Sequence, residues 1–269
     1  NVNDAGSGLS LASDGDVADP DEDDTLSVSG TLADEDGCTG TTCALTYAWS
    51  TGATSSTITL GQSDVGTTIS VTLTYSDDQS ETNTITLTAA SDVDNVNDSP
   101  TGSVTISGTP TEDEVLTAAN TLADEDGLGT ITYTWSNGDT GSTTTLGQSD
   151  VGNTITVTAS YTDGQNTAES STSAATTAVA NVNDDPTITS TAVTSATEDA
   201  AYSYTVVGND VDGDTLTMVG TTVPSWMAFD TTTGALTGTP GDADIGDHSV
   251  VITVSDASVS VTDSFTISV

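Results

Sequence analysis

Thr, Val and Ile alternate with polar residues along much of the chain. Thr154-Ile155-Thr156-Val157-Thr158 and Val250-Val251-Ile252-Thr253-Val254 are two such runs. A period of two puts successive side chains on opposite faces, so each run predicts a strand with one face buried. β-Branched side chains suit that pleated surface. No stretch keeps a period of 3.6, and strong helix formers are scarce. No run of 18 apolar residues occurs, so no membrane-spanning helix is expected. Gly, Asp and Asn break the runs often enough for about seven short strands per domain, arranged as an antiparallel two-sheet sandwich.

The pattern repeats. Asn-Val-Asn-Asp stands at 1–4, 95–98 and 181–184. A period of roughly 90 residues fits one sandwich. Three tandem domains are therefore expected, at 1–94, 95–180 and 181–269. The first two are clear copies. Thr31-Leu-Ala-Asp-Glu-Asp-Gly37 recurs as Thr121–Gly127, Tyr47-Ala-Trp49 as Tyr133-Thr-Trp135, and Leu60-Gly-Gln-Ser-Asp-Val-Gly66 as Leu146–Gly152. The third diverges but keeps Asp244-Ile-Gly246 ahead of a strand and Asp256. Trp49, Trp135 and Trp226 are expected in the cores. Asp64, Asp150 and Asp244 are expected to make side-chain-to-backbone turns at sandwich corners. The chain opens on a motif that recurs inside it, which reads as an excerpt of a longer protein. No signal peptide is visible.

Charge changes the picture. There is no Lys or Arg against 41 Asp and Glu, a formal net charge of −41. Nucleic-acid binding is close to excluded, because it needs Lys and Arg to displace counterions from phosphates. Anionic membranes would repel the chain, and trypsin-like proteases find no site. High charge with 4% aromatics can signal disorder, but the alternation argues for folded strands. Cys38 and Cys43 flank a four-residue loop, the spacing of a small disulfide loop in an oxidising compartment.

The acids gather at the expected junctions. Thr111-Glu112-Asp113 and Thr197-Glu198-Asp199, with Asp21-Glu22-Asp23 in the first copy, follow the Asn-Val-Asn-Asp motifs. Asp-x-Asp-Gly loops come next: Asp34-Glu-Asp36-Gly, Asp124-Glu-Asp126-Gly and Asp210-Val-Asp212-Gly-Asp214. Alternate Asp residues in a tight loop aim several oxygens at one spot, which suits Ca²⁺ with its 6–8 oxygen ligands. Mg²⁺ fits less well, because it demands octahedral geometry and keeps its waters.

Asn-Val-Asn-Asp before Ser-Pro100 or Asp-Pro186 resembles the calcium-binding linker of cadherin repeats, as found in bacterial cadherin-like and Ig-like repeat proteins. The third segment, with Thr197-Glu-Asp199, Asn209-Asp-Val-Asp-Gly-Asp214, Pro224-Ser-Trp226 and Thr237-Gly-Thr-Pro240, resembles the dystroglycan-type cadherin-like module. The first two resemble Ig-like repeats of giant bacterial surface adhesins. The resemblance implies ligands at each junction. For the first these are Glu22, Asn97, Asp98, Asp124, Asp126 and Asp163. For the second they are Glu112, Asn183, Asp184, Asp210, Asp212, Asp214 and Asp256. Asp4, Asp34, Asp36 and Asp77 would serve a junction to a preceding domain. The family's acidic Asp-Arg-Glu turn has no equivalent in a chain without Arg.

Nothing points to catalysis. The lone His248 stands at a strand start, and paired acids that recur with a repeat are unlike an active site. The expectation is an all-β chain of three tandem sandwiches in an elongated rod. Its role would be a secreted, cell-surface structural module of an adhesin or fibre, stiffened by calcium. Its partners would be neighbouring repeats of the same protein. The alternatives are a filament subunit docking head to tail on copies of itself, and a module for a glycan or a surface receptor.

Overall fold

The computed structural model describes Asp4, residues 6–38 and residues 43–269. Asn1–Asn3, the start of the first Asn-Val-Asn-Asp, and loop residues 39–42 lie outside the described residues. The fold is all-β, with antiparallel sheets and short 3₁₀ corners.

In the first sequence copy, β1 (Ser7–Ser13), β2 (Thr25–Ala33) and β4 (Thr57–Thr59) form one sheet in the order β1-β2-β4. β3 (Thr46–Trp49), β5 (Thr68–Ser76) and β6 (Thr82–Asp92) form another in the order β3-β5-β6. β5 reads Thr-Ile-Ser-Val-Thr-Leu-Thr-Tyr-Ser, and its Ile69, Val71, Leu73 and Tyr75 are all buried. Ile69, Val71 and Leu73 meet Leu26 and Ile58 of the first sheet around Trp49. A fully buried Leu such as Leu26 or Leu73 contributes about 1.5–3 kcal/mol. Trp49 donates its indole N–H to the Ser55 carbonyl at 2.9 Å, so burial leaves no polar atom stranded.

The second copy repeats this as β7 (Val104–Ser107), β8 (Val115–Asn120) and β10 (Thr143–Thr145) in one sheet. β9 (Thr132–Trp135), β11 (Val157–Thr162) and β12 (Ala168–Thr172) form the other. Trp135 is buried and donates to the Gly141 carbonyl at 2.9 Å. Six strands form in each of these copies among the described residues, not the seven expected. The acidic Gly-containing loops at 34–37 and 124–129 interrupt the alternation where a further strand would run.

The third copy has β13 (Thr187–Ile188) with β15 (Gly208–Asn209), and β14 (Tyr202–Thr205), β18 (Ala235–Gly238) and β17 (Met227–Phe229) in one sheet. β16 (Thr217–Thr222), β19 (Asp247–Ser255) and β20 (Ser260–Ser268) make the facing one. Tyr202, Tyr204 and Leu236 pack on Val250, Ile252, Val254 and Ile267. Trp226 sits in the turn before β17, not on a strand. It is half-buried against this core, edge-on to Tyr202 and to His248, with its indole N–H buried and unpartnered. His248 lies near the start of β19, as expected, with Nε2 2.7 Å from the Asp244 carbonyl.

The chain forms two compact units. One takes residues up to Thr105 with Ala119–Thr134 and Val157–Ser173; the other takes Ile106–Ala118, Trp135–Thr156 and Ala174–Val269. The division falls inside the second sequence copy. Cys38 and Cys43 form a disulfide with Cα atoms 5.5 Å apart.

Candidate cation sites at the linkers

Each early Glu is presented by a turn. Asp24 N–H donates to the Asp21 carbonyl at 3.2 Å, and Glu114 N–H to the Thr111 carbonyl at 3.2 Å. The third residue of each turn is an Asp at positive φ: Asp23 at 69°, Asp113 at 63° and, in the third copy, Asp199 at 58°. Asp tolerates that conformation better than most side chains. The turn residue Glu22 then pairs with the strand leading into the linker. Its N–H donates to the Asp94 carbonyl at 2.9 Å, and Asp94 N–H donates to the Pro20 carbonyl at 2.9 Å. Glu112 with Ala180, and Ala180 with Pro110, make the same two bonds at 2.9 Å.

The carboxylates hold the linker backbone from both sides. Glu22 accepts the Val96 N–H, and Glu112 Oε2 accepts the Val182 N–H at 3.1 Å. Asp126 Oδ2 accepts the Asp98 N–H, and Asp212 Oδ2 the Asp184 N–H, both at 2.7 Å. Three acids from separated parts of the chain therefore converge twice: Glu22, Asp98 and Asp126, and Glu112, Asp184 and Asp212. One oxygen of each lies within 4.8 Å of the others. Two ligands on one Ca²⁺ at about 2.4 Å can stand no further apart than about 4.8 Å. Glu22 and Asp126 are each only 4% exposed.

Electrostatics registers the crowding. Burial pushes the Glu22 carboxyl above its ordinary value; the Val96 N–H opposes this, and Asp98, Asp126 and Asp23 add to it. Asp184 is raised by burial, then by Asp212, Asp113, Asp210 and Asp185. Like charges 4–5 Å apart repel by roughly 3–4 kcal/mol at an effective dielectric near 20. No basic side chain exists to offset that.

Several buried oxygens lack a donor: Asp163 Oδ2, Asp210 Oδ2, Asp212 Oδ1 and Gln148 Oε1. Asp210 Oδ2 and Asp212 Oδ1, acceptor-only atoms within a group of carboxylates, fit a hard cation that takes oxygen ligands. Glu22, Asp98 and Asp126 would hold one ion, and Glu112, Asp184 and Asp212 another. Asp210, Asp212 and Asp214 form a further group that shares Asp212.

The remaining expected ligands are placed variously. Asp34, Asp36 and Asp77 come together in the first copy. Asp4 is exposed and joins none of these groups. Asp77, Asp163 and Asp256 are buried at equivalent hairpin turns, each with Oδ1 bound to two backbone N–H groups. Those bonds, led by the Val259 N–H and helped by the Asn183 amide, hold Asp256 below its ordinary value. Asn183 Nδ2 donates to Asp256 Oδ2 at 3.0 Å, whereas Asn97 Nδ2 donates to Glu169 Oε1 at 2.8 Å. Asp124 stands outside the acid groups, and its Oδ2 accepts the Tyr161 hydroxyl at 2.5 Å.

Asp64, Asp150 and Asp244 make the expected corners, each accepting the N–H of Gly61, Gly147 or Gly241 at 3.0–3.1 Å. The residue two before each Asp escaped the sequence reading. The Gln62 amide lies against Glu22, Asp126 and Asn95, so a corner expected to be purely structural delivers a side chain to the first site. Its one signal was the verbatim repeat of Gln-Ser-Asp at 62–64 and 148–150. An exposed group of Glu198, Asp199 and Asp242 in the third copy was also missed. Asp242 there takes the corner place of Gln.

The family model described as "Putative Ig domain" matches residues 185–269. A search of curated proteins returned no match. Among solved structures, the chain is similar to protocadherin gamma B2 extracellular cadherin domains 1–5, at 13% identity and a TM-score of 0.38, over 99% of this chain and 60% of that one. It is similar to an endo-fucoidan hydrolase from glycoside hydrolase family 107 at 19% identity and 0.29, over 98% and 38%. It is similar to Drosophila OTK extracellular domains 3–5 at 10% identity and 0.29, over 99% and 97%. The chain thus spans less than two thirds of the hydrolase and protocadherin chains. The match to the Ig-domain model is confined to the third copy, and the sheets of all three copies are antiparallel.

Proposed function

We propose that this chain is an extracellular structural module of a bacterial surface adhesin or fibre, whose linkers are stiffened by Ca²⁺. The observation that carries this reading is the double convergence of an early Glu, a linker Asp and a loop Asp in a chain with no Lys or Arg. Bound Ca²⁺ would supply the positive charge that these oxygens lack. Glu22 and Glu112 hold the linker from the early turn of the preceding copy, and Asp126 and Asp212 hold it from the loop after it. With the charge balanced, both grips tighten on the same short backbone segment, and bending there is resisted. Neighbouring repeats of the same protein are the partners in this reading. The disulfide suits an oxidising, extracellular setting. No helix among the described residues is long and apolar enough to cross a membrane.

The test is melting and small-angle scattering with chelator and with millimolar Ca²⁺. A ligand at 100 times its Kd stabilises the bound state by about 2.7 kcal/mol per site. Chelator should therefore lower Tm and raise the radius of gyration, and Ca²⁺ should reverse both. Indifference of both quantities would sink the reading.

A further inference from the structure

The amide end of Gln62 is surrounded by acceptors. With its NH₂ turned inward it stands 2.8 and 3.1 Å from the two Glu22 oxygens, 3.3 Å from Asp126 Oδ1 and 3.2 Å from Asn95 Oδ1. With its carbonyl turned inward, that oxygen faces the same acceptors and no donor. Gln148 holds the matching corner position in the second copy. Asp113 N–H donates to the Leu146 carbonyl at 2.9 Å and Leu146 N–H to the Glu114 carbonyl at 3.0 Å, so the corner sits beside Glu112. Asp23, Leu60 and Asp24 make the matching bonds beside Glu22. Gln148 Oε1 is buried without a donor.

We propose that Gln62 and Gln148 are reversible amide switches that serve the carboxylates as donors when the cation is absent and the cation as ligands when it is present. This rests on the calcium reading above. A Gln amide carries two N–H donors and one carbonyl acceptor on a single flat group. Its terminal torsion is broad and roughly two-fold, so a half-turn exchanges donor for acceptor in place. Without the ion, the inward NH₂ satisfies acceptors that no Lys or Arg in this chain can reach. With the ion, an inward NH₂ would face positive charge, whereas the carbonyl adds a neutral oxygen to a set that needs 6–8. Leu and Met can do neither, and Glu can do only the second. The third copy has Asp242 at this place, facing Glu198 and Asp199, and so lacks the donor state.

The consequence is a site tuned for release. A fourth carboxylate would bind Ca²⁺ more tightly but would add to the repulsion in the empty linker. The amide lowers the empty-state penalty and keeps affinity weak enough to respond to extracellular Ca²⁺, where modules bind at roughly 10⁻⁴–10⁻³ M.

Side-chain amide NMR of the intact wild-type chain tests this without a substitution. In chelator, the Gln62 and Gln148 NH₂ protons should be hydrogen-bonded and slow to exchange. On adding Ca²⁺ they should shift and exchange faster, in step with calorimetric uptake. Gln62→Glu should bind Ca²⁺ at least tenfold more tightly yet melt lower in chelator, and Gln62→Leu should lose on both counts. If the wild type binds Ca²⁺ while the amide signals stay still, or if Gln62→Glu leaves affinity and chelator Tm unchanged, the switch is overturned and the calcium reading survives. A wild type that takes up no Ca²⁺ overturns both.

Discussion

The two linkers share Asn-Val-Asn-Asp, an early Glu and an Asp-x-Asp loop, and they differ at one buried position. Two residues before the hairpin Asp stands Tyr161 for the first linker and Val254 for the second. The Tyr161 hydroxyl donates to Asp124 Oδ2. Val254, fully buried, offers no donor, and Asp210 Oδ2 is left buried without one. Asp210 then joins Asp212 and Asp214, and Asp212 belongs to both acid groups of its linker. The Tyr161 phenol therefore engages the first Asp of its loop, whereas no phenol reaches Asp210, whose loop also brings Asp214. The first copy adds a shade to this rule. Tyr75 donates to Asp34 in the same way, yet Asp34 still brings an oxygen near Asp36 and Asp77.

The largest difference should appear on removing the second Asp of each loop. Asp212→Asn takes charge from two groups and Asp126→Asn from one. Calorimetric Ca²⁺ titration should show both weakened by at least about tenfold, roughly 1.4 kcal/mol. Asp212→Asn should also lose the greater share of Ca²⁺-dependent Tm. Equal losses would mean that the shared Asp212 holds only one ion.

A sharper probe is Tyr161→Phe. Without cation, the buried Asp124 oxygen loses its donor, which costs about 1–3 kcal/mol. With Ca²⁺, the same oxygen becomes available as a ligand. The gap between chelator and Ca²⁺ melting temperatures should therefore widen and the first linker should come to resemble the second. A drop of the same size in both conditions would make the Tyr161–Asp124 bond purely structural.

Much of this was legible before the fold. The alternation at Val250–Val254 located β19, whereas only Val157 and Thr158 of the run Thr154–Thr158 fall in a strand, β11; Trp49 and Trp135 were found in the cores, and the Cys spacing found its disulfide. The acid loops stood out because they recur. What stayed hidden depends on pairings across the sheets. Gln62 meets Glu22 only because parallel bridges, Asp21 with Asp94 and Val65 with Val93, draw the corner and the early turn onto one strand. A neutral polar residue 40 positions away carries no charge signal that would reveal this. The exchange of Tyr161 for Val254 is conservative for burial and so looks silent. Only the opposing carboxylate gives it meaning. Trp226 misled for a similar reason: an indole in a turn beside a core resembles a core plug in sequence but keeps an unpartnered N–H.

The phenols give the comparison a pH axis. Burial, with the Asp34 carboxylate accepting its proton, pushes Tyr75 up to about 12, and burial with Asp124 pushes Tyr161 higher still. Tyr202, raised mainly by burial to about 12, donates instead to the Val193 carbonyl. A raised phenol stabilises the fold fully below the ordinary value near 10 and loses that contribution as pH rises through the folded value. No Lys or Arg titrates alongside, so absorbance near 295 nm should report tyrosine alone. The phenolates of Tyr75, Tyr161 and Tyr202 should appear late and together with unfolding. Tyr161→Phe should remove the latest part of the curve, and Tyr202→Phe an earlier part. Phenols that all ionise near pH 10 with the sheets intact would take the Tyr161–Asp124 bond out of the comparison.

The smallest expected effect is one on which the linkers should agree. Asp23 and Asp113 sit at the same left-handed turn position, and each crowds a neighbouring acid, Asp23 acting on Glu22 and Asp113 on Asp184. Gly adopts positive φ without the Cβ clash, a relief of up to roughly 1 kcal/mol, and carries no charge. Asp23→Gly and Asp113→Gly should therefore each raise Tm slightly in chelator, by similar amounts, and leave Ca²⁺ affinity nearly unchanged. The turn is common to both linkers, whereas the Tyr-to-Val exchange is not. Unequal shifts, read by paired melting curves, would place part of the difference in the early turns and away from Tyr161 and Val254.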